Sequence, residues 1–233
     1  MRRRWRAAVA ALTMVPALLS PFEATAAARP SPPTLYAGDR GSEVAVLFRA
    51  LRDLGYVPSD MKAPARYTDA LVLAVRRFQA VHLLATDGVV GSVTWRALTQ
   101  ALRQGERLPA GALDWRVVVS LSLPETVRVY DNGRLVAETP CNTGVPGALT
   151  PPGVYFVYET LPFQVMRGVN PNGTHYADPV HDIWHFYGGD ALHGFVRATY
   201  GHPQSNGCVE IPPDVARSLW GRLPLGAEVD VVR

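Results

Sequence analysis

WHFYGGDALHGFVRATYGHPQSNGCVEI, residues 184–211, decides how the C-terminal half of this chain is read. Trp184, Phe186 and Tyr187, with Pro179 ahead of them, favour a strand. It runs through a Gly188-Gly189 turn into His193, and Cys208 follows behind Ser205-Asn206-Gly207. Five of the six His (His175, His181, His185, His193 and His202) crowd into the same region, and two chemistries compete for them. Zinc needs several ligands on one ion. His181 and His185 are four apart, which in a strand separates them by ~13 Å, and Asp182 stands where the helical zinc-peptidase pair carries Glu. A cysteine nucleophile instead needs a base to populate its thiolate, and His193 precedes Cys208. A buried structural thiol is poorly matched to a Ser-Asn-Gly setting.

Outward from this stretch the apolar period is two. Trp115, Val117 and Val119 alternate with Arg116, Val118 and Ser120, and Val127, Val129 and Leu135 flank Asp131-Asn132-Gly133, a hairpin signal. Further β runs are expected at Gly153–Glu159 and Glu228–Val232, with one helix at Asp214–Leu223 bearing Val215, Leu219 and Trp220 on a face. The second half therefore reads as mostly antiparallel β. Before it, Arg103–Leu113 loses all periodicity and is placed as a domain boundary.

Upstream the period changes to that of helices. Val44, Leu47, Phe48, Leu51 and Leu54 predict a helix within 39–56 ended by Gly55. Leu71, Val72, Val75 and Phe78 predict a second from Asp69, and Val93, Trp95, Ala97, Leu98 and Leu102 a third, with Ser92 as N-cap. Residues 29–34 (RPSPPT) read as an extended linker. Ahead of them stand Arg2, Arg3, Arg4 and Arg6, an uncharged run from Ala7 to Phe22, and small residues through Ala28, the three parts of a cleavable secretory signal. The apolar run, broken by Pro16 and Pro21, is too short for the ~20 residues of a membrane span.

Composition limits the rest. With 48% hydrophobic and 18% charged residues the 233-residue chain is globular, and its 20 Gly and 20 Pro imply many turns. Of 23 Lys and Arg and 20 Asp and Glu, four Arg and one Glu fall in residues 1–28, so the remainder is balanced. No basic stripe is left to track a phosphate backbone, which argues against nucleic acid. Two cysteines in an exported chain invite a disulfide, yet a permanent Cys141–Cys208 bond would disable a Cys208 nucleophile, so Cys141 is read as a strand residue.

Two resemblances add to this reading. Gly38, Gly41, Leu54-Gly55-Tyr56, Tyr67, Phe78-Gln79, Asp87-Gly88, Gly91, Thr94 and Leu98 make residues 35–102 similar to the three-helix peptidoglycan-binding module of cell-wall enzymes. Thr143-Gly144, Thr150-Pro151-Pro152-Gly153, the opening stretch and Pro224-Leu225-Gly226 make residues 114–233 resemble the L,D-transpeptidases. The implied architecture is α+β: a signal peptide (1–28), linker (29–34), three-helix bundle (35–102), linker (103–113) and a mainly antiparallel β-sandwich catalytic domain (114–233).

The resemblance makes Cys208 the nucleophile and His193 its base, with Gly207 and Cys208 amides as oxyanion donors and Ser205 and Asn206 shaping the turn. Tyr187, Gly194 and Arg167 become candidate substrate contacts, Arg167 in a substrate-facing loop; Tyr187 also reads as a wall residue and Arg167 as a solvated one. The chain departs from the family where Asn206 replaces the usual His and Glu210 the usual Arg. Asn can donate and accept but holds no positive charge, and Glu210 reverses a charge beside the nucleophile. The implied activity is 3–3 cross-linking of tetrapeptide stems in the cell wall, without cofactor or metal. Peptidoglycan stems and glycan would be the partners, and carbapenems would acylate the thiol. An L,D-carboxypeptidase of the same mechanism and a non-catalytic wall-binding protein are the alternatives.

Overall fold

The computed structural model describes residues 32–233. The signal peptide expected at 1–28 and the first half of the expected linker lie outside these residues. Among the described residues no helix is long and apolar enough to cross a membrane.

The three- and four-residue spacing of apolar side chains produces α1 (Ser42–Asp53), α2 (Asp69–Val81) and α3 (Ser92–Gln104). Val44, Leu47, Phe48 and Leu51 face Leu71, Val75 and Phe78 and then Trp95 and Leu98 in a shared core. Gly55, at φ 83°, takes the left-handed conformation that stops the chain after α1. Gly91, not Ser92, is the N-cap of α3: it is extended, so Ser92 already sits in the first turn, and no side chain caps the helix. Val93 and Leu102 carry the apolar period but are exposed.

Buried Gln79 explains the Asp87-Gly88 signature. Its amide nitrogen donates to Asp87 Oδ1 (2.9 Å) and the Val89 carbonyl (3.0 Å). Its oxygen accepts from the Gly88 amide (2.8 Å), so one side chain satisfies a turn with no ladder of its own. Residues 103–113 are more ordered than an aperiodic linker: α3 continues to Gln104, and a 3-10 turn occupies Ala112–Asp114. Between them Leu108 is buried, its amide donating to the Leu54 carbonyl (2.9 Å). One apolar residue per turn leaves no period to read.

Beyond Asp114 come β1 (Trp115–Ser120), β2 (Thr126–Asp131), β3 (Arg134–Pro140), β4 (Gly153–Phe156), β5 (Glu159–Val169), β6 (His175–Tyr187), β7 (Asp190–Gly194), β8 (Val209–Ile211), α4 (Pro213–Leu219) and β9 (Glu228–Val232). They make two sheets, ordered β3-β2-β1-β9-β4 and β5-β6-β7-β8. Each is antiparallel except for one parallel pair, β1 with β9 and β7 with β8. The expected run 153–159 is broken after Phe156, and α4 stops before the expected Leu223, with Gly221 at positive φ beyond it. Val117, Val127, Val129 and Val229 from one sheet and Trp184, Phe186, Leu192 and Val209 from the other close a common core. The layers thus form a sandwich with α4 against β7: a Cβ on Gly194 would lie 3.0 Å from Ala216 Cβ.

The helical core meets the β part along α2. Arg76 Nη2 donates to the Val154 carbonyl (2.8 Å), and buried Arg77 lies over the Phe156 ring (4.8 Å) and pairs with Glu228 (3.3 Å). Leu108 fills the space over Gly226, where a Cβ would come 2.5 Å from it.

Candidate active site

The parallel pairing of β7 with β8 sets Leu192 beside Val209 and His193 beside Glu210, which brings the end of the 205–208 turn against the start of β7. On its other side the turn is held by residues 142–145. Asn142 and Glu210 exchange backbone hydrogen bonds (2.9 Å each), and Val145 N–H donates to the Ser205 carbonyl (2.9 Å). Gly144 makes this approach possible, since a Cβ there would overlap the Ala148 carbonyl and the Thr150 amide. A glycine is required at 207 as well: φ is 112°, and a Cβ would run into the Asp190 carboxylate.

Cys208 and His193 line the same small cavity, about 40 Å³, with Met166, Tyr176, Asp178, Arg197, Ser205 and Asn206. The Ala191 N–H faces the sulfur and favours its thiolate, but burial outweighs it, aided by the charges of Asp190 and Glu210, and the thiol is pushed up to about 12. Burial likewise lowers the basicity of His193. Its Nδ1 lies 3.3 Å from the Gly194 carbonyl. A carbonyl only accepts, so Nδ1 carries the proton and Nε2 is left as the basic atom. The resting pair is therefore a neutral thiol and a neutral imidazole, and proton transfer must accompany attack.

The turn fixes its own amides unequally. Ser205 Oγ donates to the Cys208 carbonyl and accepts from the Gly207 N–H (3.2 Å). Gly207 is thus committed to Ser205, and the Cys208 N–H has no acceptor among the described residues. Asn206 Nδ2 reaches out of the turn to Asn170 Oδ1 (2.7 Å), at the tip of the β5–β6 hairpin. The same hairpin places Met166 Sδ 3.9 Å from the Cys208 sulfur. Asn206 is therefore a fastening between the 205–208 turn and the hairpin.

The charge reversal at Glu210 is neutralised locally. Arg197 grips the buried carboxylate with Nε and Nη2, both at 2.7 Å, and this two-pronged geometry keeps a cation next to the cavity. Sequence reasoning did not find Arg197, because a partner thirteen positions away in a loop carries no pattern. It also passed over Asp190, whose carboxyl burial raises to about 6.

Three expected substrate contacts lie elsewhere. Arg167 is not in a loop but on β5, paired with Ala177 and exposed, while strand alternation turns its neighbour Met166 into the cavity. Tyr187 is half-exposed and lines, with Tyr155, Tyr158 and Arg76, a separate groove of about 350 Å³ between α2 and the sheet. Gly194 contributes its carbonyl to His193 and otherwise backs onto α4. His185 is buried against Gln164 (3.0 Å), and the His181 ring lies tilted against Phe163, with centroids 4.9 Å apart. Among the described residues no three His, Cys, Asp or Glu side chains converge as metal ligands do. Cys141 is not the strand residue expected: β3 ends at Pro140, and Cys141 follows it, buried and free, as Cys208 is free.

A family model of the L,D-transpeptidase catalytic domain matches residues 114–231, half of the chain. The chain belongs to this family. A model of a peptidoglycan binding domain matches residues 40–98. No curated protein matches the chain. Solved structures similar to it include an L,D-transpeptidase from Mycobacterium smegmatis, 23% identical over 51% of this chain and 58% of that one (TM-score 0.47). Another is the L,D-transpeptidase of Xylanimonas cellulosilytica, 27% identical over 87% and 99% (TM-score 0.41). A third is L,D-transpeptidase 3 of Mycobacterium tuberculosis in complex with a faropenem-derived adduct, 21% identical over 52% and 60% (TM-score 0.47). The chain thus spans less than two thirds of the length of the first of these.

Proposed function

We propose that this L,D-transpeptidase family member is an exported cell-wall enzyme that transfers acyl groups of peptidoglycan tetrapeptide stems through Cys208. The observation that carries the reading is the lining of one cavity by Cys208 and His193, with the Cys208 N–H without an acceptor among the described residues, in a chain of this family. The Cys208 sulfur attacks the carbonyl of the third stem residue while Nε2 of His193 takes the thiol proton. The developing oxyanion is met by the Cys208 N–H. The C–N bond to the terminal D-alanine then breaks, the imidazolium returns its proton to the leaving amine, and a thioester remains. The side-chain amine of a second stem attacks that thioester, loses a proton to His193 and expels the thiolate, leaving a 3–3 cross-link. Water in the amine's place gives carboxypeptidase activity. The helical part, matched by the peptidoglycan binding domain, would raise the local concentration of an insoluble substrate. A nucleophilic thiol of this kind is also a target for carbapenems.

The test is mass spectrometry of the protein incubated with disaccharide-tetrapeptides, beside Cys208→Ala. Cysteine-dependent loss of alanine with formation of dimers is expected. Loss without dimers would reassign the enzyme as a carboxypeptidase, and identical untouched substrate in both samples would leave a wall-binding protein.

A further inference from the structure

Thr150 lies on the loop between β3 and β4, is buried, and belongs to none of the groups that the reaction above employs. Its hydroxyl makes two bonds. The Gly144 N–H donates to Thr150 Oγ1 (3.0 Å), and Oγ1 donates to the Gly207 carbonyl (2.7 Å). The first bond occupies the hydroxyl as an acceptor, so its single proton is committed to Gly207.

That carbonyl belongs to the peptide unit whose N–H is that of Cys208. A trans peptide is planar, with C=O and N–H pointing in opposite directions. Holding the Gly207 oxygen on one side therefore aims the Cys208 N–H on the other. Gly207 needs such a hold, because at φ 112° and without a side chain its flanking peptides rotate more freely than those of other residues. The Gly207 N–H cannot share the work, since Ser205 Oγ already engages it. We propose that Thr150 is a positioning residue for acyl transfer: it orients the Gly207–Cys208 peptide so that the Cys208 N–H receives the oxyanion. Thr150 is not among the residues that line the cavity of Cys208 and His193. Gly144 is part of the device, since only a residue without Cβ lets its amide come this close to Thr150.

This inference rests on Cys208 being the acylated nucleophile, and the experiment separates the two claims. Thr150→Val keeps the shape and removes the hydroxyl, whereas Thr150→Ser restores it. Two reactions of Cys208 are timed in each protein: acylation by imipenem, which passes through an oxyanion, and alkylation by iodoacetamide, which does not. For Thr150→Val, acylation is expected to slow by about 10- to 100-fold, toward the loss seen when an oxyanion donor is removed outright. Alkylation should stay within about twofold, because the Ala191 N–H and His193 are untouched, and Thr150→Ser should recover most of the acylation rate. Unchanged acylation in Thr150→Val would overturn the proposal, as would a parallel fall of both reactions, which would make Thr150 a structural residue only. A wild-type protein alkylated at Cys208 but never acylated would overturn the underlying reading together with the proposal.

Discussion

Cys208 and His193 are both held in their uncharged forms by burial. A thiolate attacks and a thiol does not, so Cys208 should alkylate slowly at neutral pH. Its rate should rise by about tenfold per pH unit between pH 7 and 9, with no plateau of the kind a preformed thiolate–imidazolium pair would give. Stopped-flow alkylation across that range checks this. Asp190 gives a second test at the same scale. Its folded carboxyl titrates near 6, above the ordinary carboxylate value, because burial penalises its charge. The native state therefore binds a proton more tightly than the unfolded chain does. The favourable contribution is complete below the ordinary carboxylate range and disappears as pH rises through about 6. Asp190→Asn should accordingly match the wild type in melting temperature at pH 4 and exceed it at pH 8. It should also speed alkylation of Cys208, since it removes a negative charge that opposes the thiolate.

At the scale of elements, the turn that carries Cys208 depends on pieces far from it in sequence. Half-buried Arg197 grips the buried Glu210 carboxylate in a two-pronged pair, and removing the cation leaves that carboxylate unpaired in the interior. Arg197→Ala is expected to destabilise the protein by about 3 kcal/mol, read from urea unfolding, with Arg197→Lys recovering only part because it cannot fork. The β5–β6 hairpin is fastened by Asn170 to Asn206. Asn170→Ala should raise amide hydrogen exchange at residues 165–178 while leaving β1 and β9 unchanged. Much of this domain was legible in the sequence: β1, the Asn132-Gly133 hairpin and β9 all stand where alternation and turn chemistry put them, and His193 and Cys208, fifteen residues apart, line one cavity. The long β5 was not, because its exposed Pro162, Phe163 and Val169 interrupt the inside-outside alternation that marks a half-buried strand. Thr150 was legible as part of a family pattern but not as a hydrogen bond to residue 207, for which no local periodicity exists.

For the whole molecule, the helical part and the sheets meet along a seam containing Arg77, Glu228, Leu108 and Gly226. Burial raises the Glu228 carboxyl, and Arg77 opposes that rise. Arg77→Ala therefore leaves Glu228 at the seam with only Arg116 beside it (3.5 Å). We expect one calorimetric transition for the wild type and, for Arg77→Ala, a lower melting temperature with the transition broadened or split as the helical part loosens first. Composition and period revealed both parts but not this seam, since Leu108 and Arg77 show their role only when packed. The two free sulfurs are of opposite character: Cys208 lines a cavity, whereas Cys141 is sealed behind β3 with its thiol raised by burial. A thiol-directed dye thus has one site per native molecule and gains a second only after unfolding. Labelling beyond one dye per molecule therefore measures the unfolded fraction of a sample, and the delayed second label serves as an internal clock for loss of the fold.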